Sequence, residues 1–104
     1  MDEGKLVRDR IPEIIQAGGG APQVRVLDQA AYRVALARKL QEEVDEFLRS
    51  GQAEELADIL EVIYALAQVQ GMAPSQLEAL RLRKREERGG FQRRLFLVSA
   101  SSSA

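Results

Sequence analysis

The sequence predicts an all-α domain of four helices around one core, with a short two-stranded β element as the sole exception. Three observations predict this. Apolar residues recur at three- and four-residue spacing through the long segments, and glycines and capping residues punctuate those segments. Only two short stretches alternate with the two-residue period of a strand. With 104 residues, there is room for one domain with a single core, small enough to gain from self-association. Residues 1–98 are assigned to that domain, and 99–104, reading SASSSA, to a disordered tail.

The first helix is short, about residues 10–17, with Asp9 as its cap and Pro12 in the first turn, where a missing N–H costs little. The Gly18-Gly19-Gly20 run stops it. Residues 23–27, QVRVL, alternate and are β-branched, so they read as a strand. Asp28 is placed to cap a long helix reaching about Leu48. A tight Ser50-Gly51-Gln52 link leads to a third helix that Gly71 ends. Ser75 and Glu78 have the spacing of a capping box and open a fourth helix, which Gly89-Gly90 closes. Residues 94–98 supply a second strand to pair with the first, since neither is stable alone.

Composition excludes whole classes of chemistry. Cys is absent, and so is His. That removes disulfides, thiol nucleophiles, Ser-His triads and the usual zinc centres. Any metal must be held by oxygen alone, which favours a hard cation such as magnesium, manganese or calcium. No apolar run approaches the roughly 20 residues of a membrane span, and residues 1–10 lack a signal-peptide core, so the cytoplasm is the expected location.

The net charge of −1 conceals a polarised chain. Eight of 16 acidic residues lie between Glu42 and Glu61, and seven of 15 basic residues between Arg81 and Arg94. The acidic half would repel a nucleic-acid polymer. The same distribution suits a small phosphorylated ligand, met by metal on one side and Arg or Lys on the other.

Helical phase singles out four carboxylates. At about 100° per residue, Leu36, Leu40, Val44 and Phe47 form one stripe, with Glu43 at its edge and Glu46 flanking it. In the third helix Glu55 projects inside the apolar sector and Asp58 at its border, whereas Glu54 and Glu61 point away. Two adjacent helices thus each carry an i, i+3 acidic pair on or beside the face due for burial. A lone carboxylate there costs several kcal/mol, in rough terms, unless it protonates or finds a partner. Antiparallel helices with a divalent cation between the pairs would satisfy them; Arg38 and Lys39 are the competing partners.

Glu43-x-x-Glu46 followed by Glu55-x-x-Asp58, with the flanks KLQEE and LADILE, resembles the metal motif of the MazG-like all-α nucleoside triphosphate pyrophosphohydrolases. KLVRDRIP and ERGGF resemble a small branch of that superfamily, the phosphoribosyl-ATP pyrophosphohydrolase-like or house-cleaning proteins, so that the likeness spans residues 5–97. The resemblance implies an antiparallel helical bundle completed as a homodimer or higher assembly, and magnesium-dependent cleavage of a nucleoside triphosphate, including noncanonical ones, to monophosphate and pyrophosphate. It also implies that Glu43, Glu46, Glu55 and Asp58 are the metal ligands, for magnesium or manganese.

For the remaining chemistry, Glu46 or Glu42 is placed to accept a proton from the attacking water. Lys84 and Arg88, one turn apart, together with Arg8, are the candidates for holding phosphate. Lys84 and Arg88 equally complement a helix C-terminus. Tyr32, Tyr64 and Phe91 read mainly as core, with base stacking as the other use. Two further functions remain open on sequence: the phosphoribosyl-ATP reaction of histidine biosynthesis, and a non-catalytic helical dimerisation module.

Overall fold

The computed structural model describes residues 4–101. It contains four helices in the order α1 (Ile11–Ala17), α2 (Gln29–Ser50), α3 (Ala53–Val69) and α4 (Pro74–Arg88). The fold is all-α, and no single helix among the described residues is long and apolar enough to cross a membrane.

Each boundary has a local cause. Asp28 Oδ1 accepts from the Ala31 amide at 2.8 Å, satisfying one orphan donor at the start of α2. Gly51 ends α2 in the left-handed region (φ 66°), donating its amide to the Phe47 carbonyl at 2.8 Å. Only Gly51 and Gln52 separate α2 from α3, so the chain reverses at once. The two helices pair antiparallel: Arg33, near the start of α2, donates to the Val69 carbonyl at the end of α3. Gly71 (φ 80°) closes α3, its amide bonding to the Gln68 carbonyl and that of Met72 to the Ala67 carbonyl, each at 2.9 Å. That paired pattern satisfies carbonyls a helix would otherwise leave open. The axis then turns by 105° into α4.

Four expectations are corrected. Asp9 does not cap α1; Arg10 holds the N-cap position without a side-chain capping bond, and its guanidinium donates to Glu13 Oε1 at 2.8 Å. The Ser75–Glu78 box is not used. Pro74, with its preset φ, takes the first helical position, and Gln76 Oε1 accepts from the Ala73 amide at 2.7 Å. Glu78 instead bonds Arg81, whose guanidinium holds the Glu78 carboxyl below its ordinary range. The two-stranded element does not form: no strand occurs among the described residues, and residues 23–27 and 94–98 are irregular and mostly exposed. A two-stranded ribbon is marginal unless one face is packed, and most side chains of these two segments are exposed. Phe91, expected in the core, is 97% exposed. Ser99 to Ser101 are irregular and exposed, and the rest of the expected tail lies outside the described residues.

Packing is concentrated in the α2–α3 pair, while α4 touches α3 sparingly and α1 packs on no other helix. Among the described residues Leu36, Val62 and Ala67 are the buried hydrophobic ones. The radius of gyration is 18.6 Å, against about 13 Å for a compact chain of this length. The accessible surface, 9382 Å², likewise exceeds the ~5,800 Å² of a folded monomer of this size. The chain alone closes little of its core.

These packing differences rank substitutions. Asp28→Ala removes one capping bond and is expected to cost about 1 kcal/mol. Leu36→Ala empties the best-buried position and is expected to cost about 2–5 kcal/mol. Urea unfolding followed by helical circular dichroism checks both, through the midpoint at unchanged slope.

Candidate functional site

The α2–α3 pairing leaves a cleft of about 870 Å³ along one side of the hairpin. Helix α2 contributes Tyr32, Leu36, Lys39 and Glu43. These are spaced by four, three and four residues, so they form one straight stripe. Helix α3 contributes Asp58, Glu61, Val62, Tyr64 and Ala65. Leu6 to Asp9 of the N-terminal segment, with Met72 and Pro74 at the start of α4, complete the walls.

Because the helices run antiparallel, the cleft has two chemically different ends. Glu43, late in α2, and Asp58, early in α3, belong to the end near the Gly51 reversal. Tyr32, early in α2, lies toward the opposite end with Met72 and Pro74. Eleven positions of helix separate Tyr32 from Glu43, about 16 Å along the axis. One end is therefore charged and the other aromatic and apolar.

At the charged end Glu42, Glu43 and Asp58 each have a basic partner from this chain. Lys39 Nζ lies 3.2 Å from Glu43, whose side chain is only 13% exposed, and 3.7 Å from Glu42. Arg8 Nη2 donates to Asp58 Oδ1 at 2.7 Å, so the N-terminal segment is pinned to α3 across fifty residues of chain. Lys5 approaches Glu42 at 3.8 Å. The Arg8 and Lys5 pairs are substantially exposed, and such pairs are worth roughly 0–1 kcal/mol. They hold charge in place without locking it.

The sequence-derived candidates divide accordingly. Glu43, Asp58 and Arg8 meet in the cleft. Glu46 is half exposed and faces Arg49 at 3.7 Å. Glu55 accepts from Ser50 Oγ at 3.0 Å, at the hairpin reversal. Among the described residues no three carboxylates stand close enough to hold one ion together. Lys84 and Arg88 are exposed on α4 and do not line the cleft. They lie about 15 and 21 Å along the helix from Pro74.

Comparison with known proteins gives one partial match. No protein-family model matches the chain, and no solved structure matches it. Over 53 residues it is 49% identical to an uncharacterized protein of Mycolicibacterium smegmatis, a stretch covering 51% of this chain and 53% of that protein. The chain thus spans about half the length of the curated relative it matches.

Two cleft residues escaped the sequence reading, and a third, Lys39, entered it only as a competing partner for the carboxylates. Glu61, expected to point away, lines the cleft. The phase test took the α2-facing side of α3 as the site, whereas the cleft lies beside that seam and is walled by the N-terminal segment. The i, i+3 relation of Glu61 to Asp58 was the available signal. Asp9 lines the cleft instead of capping α1, and Lys39 neutralises the most sheltered carboxylate.

Lys39→Met would leave Glu43 sheltered without its cation. A loss of about 1–2 kcal/mol is expected, while Arg8→Ala, at an exposed pair, should cost no more than about 1 kcal/mol. Denaturant midpoints of the two variants, compared with wild type, check this ordering.

Proposed function

We propose that this protein is a magnesium-dependent nucleoside triphosphate pyrophosphohydrolase, releasing a nucleoside monophosphate and pyrophosphate. One observation carries the reading: a single cleft joins a charged end, holding Glu43 and Asp58 beside Lys39 and Arg8, to an end bearing Tyr32 and apolar side chains. A nucleotide has the same polarity, a polyphosphate at one end and a planar ring at the other. The ordered acidic motif and its likeness to the MazG-like superfamily support the same assignment.

The donor set fits a hard cation, because every candidate ligand is a carboxylate oxygen. Glu43 and Asp58 supply the one or two carboxylates that magnesium takes from protein when phosphates and water fill its remaining positions. Glu46 and Glu55 join them on this reading by rotating away from Arg49 and Ser50. When bound, the ion neutralises phosphate charge and lowers the pKa of the attacking water.

The chain's own side chains do the rest. Arg8, released from Asp58 once that carboxylate is otherwise engaged, turns its guanidinium to phosphate oxygens. Lys39 does the same from α2, holding charge where the α–β bridge breaks. Glu46, or Glu42 beside it on α2, accepts the proton from water. Tyr32 and Tyr64 hold the base against the apolar end, which orients the phosphates toward the acidic one.

The test is pyrophosphate release from a panel of canonical and noncanonical nucleotides and phosphoribosyl-ATP, with and without magnesium. Release is expected only with the ion. Asp58→Asn and Glu55→Gln should each lower it by roughly 100-fold or more at unchanged helical content. Magnesium alone should raise the wild-type melting temperature. No release from any nucleotide, and no thermal shift, would favour a non-catalytic helical module.

A further inference from the structure

The N-terminal arm walls the cleft but is lightly held. Helix α1 packs on no other helix, and its Ile14 and Ile15 are exposed. Residues 18–28 join it to α2 without helix or strand, beginning with Gly18 to Gly20. Ahead of α1, Leu6 to Asp9 nevertheless line the cleft. Two ion pairs fasten this stretch: Arg8 Nη2 to Asp58 Oδ1 at 2.7 Å, and Lys5 Nζ to Glu42 at 3.8 Å. Each of the four side chains is more than a third exposed, so water screens both pairs. Leu6 and Val7, half-buried between the pins, add a narrow apolar underside.

The stronger pin sits on a carboxylate that the magnesium reading needs. A guanidinium and a divalent ion on one carboxylate are close neighbours of like charge, and they repel. Arg8 and the ion therefore compete for Asp58. Any competition of this kind is reciprocal: what loosens the arm strengthens the ion's binding, and the ion loosens the arm to the same degree.

We propose that residues 4–9, with α1 behind them, form a strap that a divalent cation lifts from the cleft and a polyphosphate draws back. The inference rests on the magnesium reading of the site and gives it an order of events. With the strap down, as in this structure, Arg8 holds the charge of Asp58 in the cation's stead. The cation takes Asp58, frees Arg8 and opens the cleft on the side of the N-terminal segment. Phosphate oxygens then offer Arg8 and Lys5 new acceptors. The strap closes on the ligand, and Leu6 and Val7 shield the charged end from water. The link through residues 18–28 supplies the hinge, because α1 has no packing to break when the arm moves.

The chain has no cysteine, so two introduced thiols carry spin labels without background. Gln16→Cys on α1 and Ala37→Cys on α2, both exposed, report the arm's position in the full chain by pulsed electron spin resonance. Magnesium is expected to lengthen and broaden the separation, and sodium chloride at equal ionic strength to move it far less. Magnesium with tripolyphosphate should restore the shorter separation. By calorimetry, Arg8→Gln should bind magnesium roughly two- to fivefold more tightly than wild type, with a long separation before the ion is added. Lys5→Gln removes an equal charge but keeps the Asp58 pin, so its separation should still respond to magnesium. A separation that bound magnesium leaves unmoved overturns the strap and leaves the magnesium site standing. So does an Arg8→Gln variant that binds the ion no more tightly, or tripolyphosphate that fails to shorten the separation. A chain that takes up no magnesium by calorimetry removes the site itself, and the strap with it.

Discussion

Everything in this molecule hangs on the antiparallel pairing of α2 and α3, and that pairing hangs on the two-residue reversal at Gly51 and Gln52. Gly51 adopts a left-handed backbone (φ 66°) that lets the chain turn back immediately after the last turn of α2. With so short a link, the helices have little freedom to slide past one another. Leu36 and Val62, one on each helix, are thereby buried. Glu43 and Asp58 are brought to the same stretch of the hairpin, although fifteen residues separate them in sequence. Tyr32 and Arg33 are carried to the far end, beside the close of α3. The cleft's polarity is a direct result of this register.

The electrostatics of that cleft suit exchange better than permanence. Glu42, Glu43 and Asp58 are paired with lysine and arginine from the same chain, at distances of 2.7–3.8 Å. An exposed pair contributes little net free energy, because water screens the attraction and long side chains lose freedom in forming it. A divalent ion accompanied by phosphate carries more charge and arrives with its own oxygen ligands. Such a ligand could take over the carboxylates and leave Arg8 and Lys39 to the phosphate. The more sheltered Glu43–Lys39 pair would be the harder one to part.

A hairpin with two lightly attached helices is an incomplete core. The large surface and radius measure that deficit, and the apolar side chains on α3 and after α4 locate it. Small domains gain little from burial in isolation, because their surface is large for their volume. Self-association is the ordinary remedy.

Some of this was legible in the residues alone. The four helices, the start of α2 and the glycine-marked ends could be read from periodicity, from the Asp28 cap and from Gly51, Gly71 and Gly89, because these act through backbone geometry within a few residues, whereas the caps assigned to α1 and α4 were not the ones used. The sheltered position of Glu43 followed from its phase beside Leu36, Leu40 and Phe47. Other features depended on contacts that no local pattern encodes. Whether 23–27 and 94–98 form strands is decided by whether they find a packed surface to lie on, and most of their side chains are exposed. The roles of Asp9 and Glu61 were set by the N-terminal segment folding across α3, held by Arg8 on Asp58. Which carboxylates share a cleft is likewise a matter of how whole helices are placed. Sequence determined the elements through short-range forces; tertiary structure chose the neighbours, because proximity between distant residues exists only once the chain has reversed.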